Sequence, residues 1–257
     1  MEFFDTHCHF NDEKFEEDRE KLIESIYNDN ITKMVCVGYN VEQSKKAIEI
    51  SKDKNYMYAT CGISPNDIED FSVDNLSQIE RMALNSKVVA IGEIGLDYYW
   101  NKDNKEKQKE LFITQINIAN RLGLPIVIHT RDAIMDTLEI LKQHPVDKKG
   151  IFHCCPLNRE LIKEGLKLGY YISFSGNITF KNAKSEDVVS LVPNDRILIE
   201  TDSPYLSPEP CRGKRNDSRN VKIVAEKIAQ IKKLTIEEIA KVTYENANRI
   251  YNINNSN

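Results

Sequence analysis

The sequence predicts a single α/β domain, a (βα)8 TIM barrel covering residues 1–257. Three observations lead there. Short apolar or β-branched runs alternate with longer amphipathic ones from end to end, and eight such units follow one another. The chain length of 257 residues is normal for one barrel of this kind. No Gly/Ser-rich linker or low-complexity stretch interrupts the series. A doubly wound open sheet competes, and length and unit count favour the barrel.

In chain order, strands are expected at 2–6, 33–38, 56–61, 88–92, 125–129, 150–153, 170–173 and 196–201. Most of these runs are apolar throughout, as in parallel sheets buried on both faces. Helical periodicity falls at 17–29, 41–52, 72–86, 104–122, 131–143, 157–168 and 182–192, with two more near 219–232 and 235–247. Gly123 followed by Pro125 stops the fourth helix. Pro193-Asn194-Asp195 is a turn feeding the eighth strand. Thr235 with Glu238 three residues later forms a capping box that opens the last helix.

Bulk properties narrow the function. A net charge of −5 argues against a protein that coats nucleic acid non-specifically, but not against one that grips a strand end at a local basic patch. The six cysteines, at 8, 36, 61, 154, 155 and 211, contain no CxxC pair and suggest neither a disulfide framework nor a thiolate zinc site. No apolar run approaches the ~20 residues of a membrane span. The first residues read as a strand rather than a targeting segment, so a cytoplasmic protein with no obligate protein partner is expected.

The chemistry-bearing residues share one position. His7 and His9 follow strand one, Glu93 follows strand four, His129 and His153 end strands five and six, and Asp202 follows strand eight. All fall at the C-terminal ends of strands, the face where barrels build their sites, and they include four of the five histidines. The i, i+2 spacing of His7 and His9 points both imidazoles to one side, with Cys8 between them turned away. Glu93 lies among glycines in Gly92-Glu93-Ile94-Gly95, where a carboxylate can approach other groups closely and bridge two cations. Glu200 faces the same way as Asp202, and a buried carboxylate there needs a hydrogen-bonded partner. His144, before Pro145, reads as a surface residue.

This nitrogen- and carboxylate-rich set suits two divalent cations, Mg, Mn or Zn, in a hydrolytic site with Asp202 as general base. Arg212, Lys214 and Arg215 put three cations in four residues beyond Asp202 and read as a phosphate clamp, which Arg131 could join. For Arg131 the alternative is an ion pair with Asp132 or Glu139. Tyr98-Tyr99-Trp100 is either a stacking wall for a base or a cap on the barrel.

The ordered motifs Asp5-Thr6-His7-Cys8-His9, Gly92-Glu93-Ile94-Gly95-Leu96-Asp97-Tyr98, Pro125-Ile126-Val127-Ile128-His129-Thr130-Arg131 and Glu200-Thr201-Asp202-Ser203-Pro204-Tyr205-Leu206 resemble those of the TatD-type deoxyribonucleases over essentially the whole chain. The resemblance implies an amidohydrolase-like barrel with 3′-to-5′ exonuclease activity on DNA, acting on single-stranded ends. It implies one metal on His7, His9, Glu93 and Asp202 and a second on Glu93, His129 and His153. Two departures bear on substrate. Gly62-Ile63-Ser64-Pro65-Asn66 stands where the family commonly has Gly-x-His-Pro-His, so Ser64 and Asn66 replace two histidines. His153-Cys154-Cys155-Pro156-Leu157 stands for His-Cys-Phe-Ser-Gly. A small phosphoester, amide or lactone is therefore the alternative substrate, and a metal-stabilised binding module without turnover is the alternative class.

Overall fold

Strand after strand, the chain folds outward into a helix and returns. The structure is a computed structural model that describes residues 1–100 and 102–253. Its strands are β1 (Phe3–Cys8), β2 (Ile31–Val37), β3 (Met57–Cys61), β4 (Val88–Asp97), β5 (Ile126–Arg131), β6 (Gly150–Phe152), β7 (Tyr171–Phe174) and β8 (Ile197–Ile199). They pair in parallel in sequence order. A parallel bridge between Cys8 and Ser203 joins the last segment to the first and brings the sheet round into a barrel.

The helices are α1 (Arg19–Asn28), α2 (Val41–Ser51), α3 (Val73–Met82), α4 (Lys105–Leu122), α5 (Ile134–Gln143), α6 (Arg159–Lys167), α7 (Glu186–Val189), α8 (Val221–Lys232) and α9 (Ile236–Ile250). Each of the three punctuation signals acts as expected. Gly123 takes a left-handed φ of 66° at the end of α4, 194–196 form a turn before β8, and Thr235 and Glu238 complete the capping box of α9.

Several boundaries differ from expectation, each because a backbone partner extends or removes a ladder. β4 runs five residues further, since Ile94–Asp97 pair with 128–131 of β5 after a register shift at Glu93. β1 and β5 each run two residues further, so His7 lies inside a strand rather than after it, and His129 inside one rather than at its end. β8 stops at Ile199, three residues before Asp202, because Thr201 N–H donates to the Asp5 carboxylate instead. The helix expected over 182–192 shrinks to the four residues of α7.

Two apolar layers form the core. One lies between strands and helices; the other fills the barrel with Phe4, Val35, Val127, Ile151 and Leu198. Each such side chain contributes about 1.5–3 kcal/mol by leaving water. Tyr251 and Ile253, beyond α9, join this inner layer, and the Tyr251 hydroxyl donates to the Thr6 carbonyl. Because successive side chains alternate, the inward Val127, Ile151 and Leu198 make His129, His153 and Glu200, two residues on, point inward too.

Candidate metal centre

The site begins where the barrel closes. His9 N–H donates to the Ser203 carbonyl at 2.7 Å, and Asp202 N–H donates to the His7 carbonyl at 2.9 Å. These bonds fasten the segment after β8 to the end of β1 and hold Asp202 at a left-handed φ of 55°, uncommon for a residue with a side chain. His7 Nε2 and His9 Nε2 come within 3.1 Å, the shared side that their i, i+2 spacing predicts. Cys8 turns away and its thiol donates to the Val35 carbonyl. Asp202 Oδ1 lies 3.3 Å from His9 Nε2 and 3.6 Å from His7 Nε2.

Glu93 divides its two oxygens. Oε2 faces His7 Nε2 at 3.4 Å and His9 Nε2 at 3.8 Å. Oε1 faces His129 Nδ1 at 2.9 Å and His153 Nε2 at 3.3 Å. On the same strand, period-2 alternation puts Gly95 and Asp97 on the Glu93 face. Gly95, at φ 139°, has no room for a side chain, because a Cβ there would collide with the His129 carbonyl oxygen. That close approach lets Asp97 Oδ2 reach His129 Nε2 at 2.9 Å.

The hydrogen bonds assign the ring nitrogens. His9 Nδ1 lies 3.1 Å from the Val37 carbonyl and His129 Nε2 faces Asp97, so both carry their protons there. The lone pairs of His9 Nε2 and His129 Nδ1 are then turned on other acceptors, His129 Nδ1 on Glu93 Oε1 at 2.9 Å. Two acceptors this close need a proton or a cation between them. A tetrahedral cation with bonds of ~2.0–2.2 Å holds its ligands ~3.3–3.6 Å apart, and the four distances from the two Glu93 oxygens, 2.9 to 3.8 Å taken together, span that range. The donors therefore fit divalent metal in two groups: His7, His9 and Glu93, and Glu93, His129 and His153. His7, His153 and Glu200 form a third.

Electrostatics agree with this arrangement. Burial would raise the Glu93 pKa, but the surrounding histidines, His153 foremost, hold it well below the usual carboxylate range. Burial, reinforced by the charge of His153, lowers the pKa of His7. Glu200 is fully buried, which would cost several kcal/mol unpaired; it accepts the Cys154 N–H at 2.7 Å and lies 3.4 Å from His153 Nδ1. The hydrogen-bonded partner that the sequence demanded is thus the Cys154 backbone amide, with the His153 ring beside it.

His9, Glu93, His129, His153 and Asp202 floor an open cleft of about 730 Å³. A family model described as TatD related DNase matches residues 4–252. The chain belongs to the TatD family. It is 45% identical over 253 residues to the uncharacterized metal-dependent hydrolase YabD of Bacillus subtilis, covering 98% of this chain and 99% of that one. It is 38% identical over 262 residues to the uncharacterized metal-dependent hydrolase YcfH of Escherichia coli K12, covering 100% and 98%. The crystal structure of YjjV, a TatD homolog from Escherichia coli K12, superposes with a TM-score of 0.93 at 27% identity over 98% of both chains.

Within this TatD-family cleft, Ser64 and Asn66 line the wall where the family pattern has histidines. The Ser64 hydroxyl donates to Asp67 and accepts the Asn66 N–H, while Asn66 Nδ2 reaches Asp97 Oδ2 at 3.4 Å. Cys154 and Pro156 contribute to the same wall. Arg131 also lines the cleft. Its guanidinium lies on the Tyr99 ring at 3.9 Å, and no carboxylate among the described residues makes the alternative ion pair with it.

The basic loop sits differently. Arg215 forks onto Asp18 and lies over Phe15; Arg212 donates to the Ser207 carbonyl and covers Phe180. Neither residue, nor the exposed Lys214, is among those lining the cleft. His144 caps the C-terminus of α5, outside that lining. Sequence reasoning missed two residues. Asp97 has the same parity as Glu93 along β4, and that is the signal that it shares the site. Asp5, fully buried and bonded to Thr201, ties β1 to the segment after β8, and burial pushes its carboxyl up to about 7.

Proposed function

We propose that the chain is a deoxyribonuclease that removes nucleotides from single-stranded DNA ends by divalent-metal-dependent phosphodiester hydrolysis in the 3′-to-5′ direction. The observation that carries this reading is the division of Glu93, whose two oxygens face separate histidine pairs beneath an open cleft. In this reading His7, His9, Glu93 and Asp202 hold one cation, and Glu93, His129 and His153 the second, as Mg, Mn or Zn. Bound there, divalent cations polarise a phosphoryl oxygen and ease the ionisation of water.

The chain's own residues do the rest. Asp202, 15% exposed against 10% for Glu93, is the carboxylate ligand more open to the cleft and takes the proton of the attacking water. Asp97 orients the His129 ring, and Glu200 backs His153. Arg131, the one Lys or Arg among the described residues lining the cleft, contacts a phosphate of the strand. Ser64 offers a polar contact from the opposite loop, and Arg212, Lys214 and Arg215 attract the strand outside the cleft.

Digestion of 3′-labelled and 5′-labelled single-stranded oligonucleotides with Mg, Mn, Zn or EDTA, beside Asp202→Ala, tests the reading. Metal-dependent stepwise shortening from the 3′ end that the variant lacks supports it. No cleavage under any metal, by protein that binds two equivalents, transfers the assignment to a small phosphoester or lactone.

A further inference from the structure

Two features of the cleft rim have no part in the metal centre: an exposed indole and a cation stacked beside it. Trp100 is 66% exposed, one of the largest apolar surfaces the chain leaves in water, and it lines the cleft. Its ring meets Tyr99 at right angles, with centroids 4.8 Å apart at 89°, rather than stacked face to face on it. Tyr99, 46% exposed, gives a face to the Arg131 guanidinium at 3.9 Å, and the same guanidinium stands 5.6 Å from the Trp100 ring. On the segment after β8 the comparable ring, Tyr205, is already engaged. Its hydroxyl donates to Asp12 at 2.6 Å, and Lys14 covers its face at 4.3 Å.

The aromatic pair is also tied to the site. The backbone N–H groups of Tyr99 and Trp100 donate to Asp97 Oδ1 at 2.9 and 3.0 Å, while Asp97 Oδ2 holds His129. One carboxylate therefore positions a metal-facing imidazole and the loop that carries the indole. An indole beside a guanidinium that has no carboxylate partner among the described residues matches one repeating unit of single-stranded DNA, a flat base next to a phosphate.

Resting on the deoxyribonuclease reading, we propose that Trp100 and Arg131 form a nucleotide subsite, with one base of the strand end stacked on the indole and its neighbouring phosphate on the guanidinium. The stack holds the strand while the next linkage lies over the metal centre. It favours unpaired ends, because a base inside a duplex has both faces occupied by its neighbours.

Trp100 is the only tryptophan in the chain, so its fluorescence reports on this subsite alone. The experiment titrates the metal-loaded protein with a cleavage-resistant phosphorothioate oligonucleotide, single-stranded, with either normal or abasic nucleotides at its 3′ end. Saturable quenching by the normal strand, lost with the abasic one, is expected. Binding of the normal strand to Trp100→Ala should weaken about tenfold, the size of one base–aromatic stack, with the abasic strand affected little and Trp100→Phe recovering part of the loss. Binding with unchanged emission, and equal affinity in Trp100→Ala, overturns the subsite while the nuclease reading stands. Failure of the wild-type protein to bind or cut any oligonucleotide overturns both.

Discussion

Asp97 Oδ2 lies 2.9 Å from His129 Nε2, and that contact decides which nitrogen of the imidazole is left for the cleft. With Nε2 holding the proton, Nδ1 presents a lone pair towards Glu93 Oε1, 2.9 Å away. Two carboxylates from one strand thus grip a single ring from opposite sides. Asp97→Asn keeps the shape but weakens the orienting bond. Metal affinity should fall about 10- to 100-fold, measured by calorimetric titration of the chelated protein with Zn or Mn.

Glu93 faces all four histidines, two with each oxygen, so its loss should be felt twice. Glu93→Ala is expected to be inactive and to bind fewer than two equivalents of metal, counted by equilibrium dialysis. In the wild-type protein, chelation should lower the melting temperature. At free metal a hundredfold above Kd, each bound ion stabilises the fold by about 2.7 kcal/mol.

Gly95 is where β4 passes closest to the His129 backbone. Gly95→Ala forces a Cβ against that carbonyl at a φ of 139° and should destabilise the protein by about 1–3 kcal/mol through crowding. The urea midpoint measures it. An unchanged midpoint would mean that the two strands are further apart than described.

The cations should separate in their effects on DNA cleavage. Arg131→Ala removes a charge from the cleft wall and is expected to raise KM for single-stranded DNA about tenfold or more, the size of a lost charged hydrogen bond. The Arg212→Ala, Lys214→Ala pair lies outside the lining and should chiefly flatten the salt dependence of KM. Equal effects would show that the strand follows the basic loop.

Arg215 holds Asp18 below its ordinary pKa through their paired hydrogen bonds. A depressed folded-state pKa stabilises the fold above the unfolded value and ceases to do so as pH falls through the folded one. Because both groups are well exposed, Asp18→Asn should cost less than about 1 kcal/mol at neutral pH. The two proteins should converge in acid, below about pH 4, as urea unfolding at several pH values will show.

Much of this molecule was legible in one dimension. Apolar runs at barrel spacing and polar residues at their C-terminal ends are local facts, and parallel strands carry every such end to the same face. His7, His9, Glu93, His129, His153 and Asp202 could be picked out for that reason. The capping box at Thr235 and the stop at Gly123 were equally local, since each depends on bonds within a few residues. What only the tertiary structure decided were relations between strands. The shift at Glu93 that lengthens β4, the bond from Asp97 to His129, and the Arg215–Asp18 pairing across 197 positions all depend on which backbones lie side by side. Three adjacent cations look alike in a sequence, but a carboxylate 197 positions away turns one of them into a structural partner, whereas the solitary Arg131 faces the cleft.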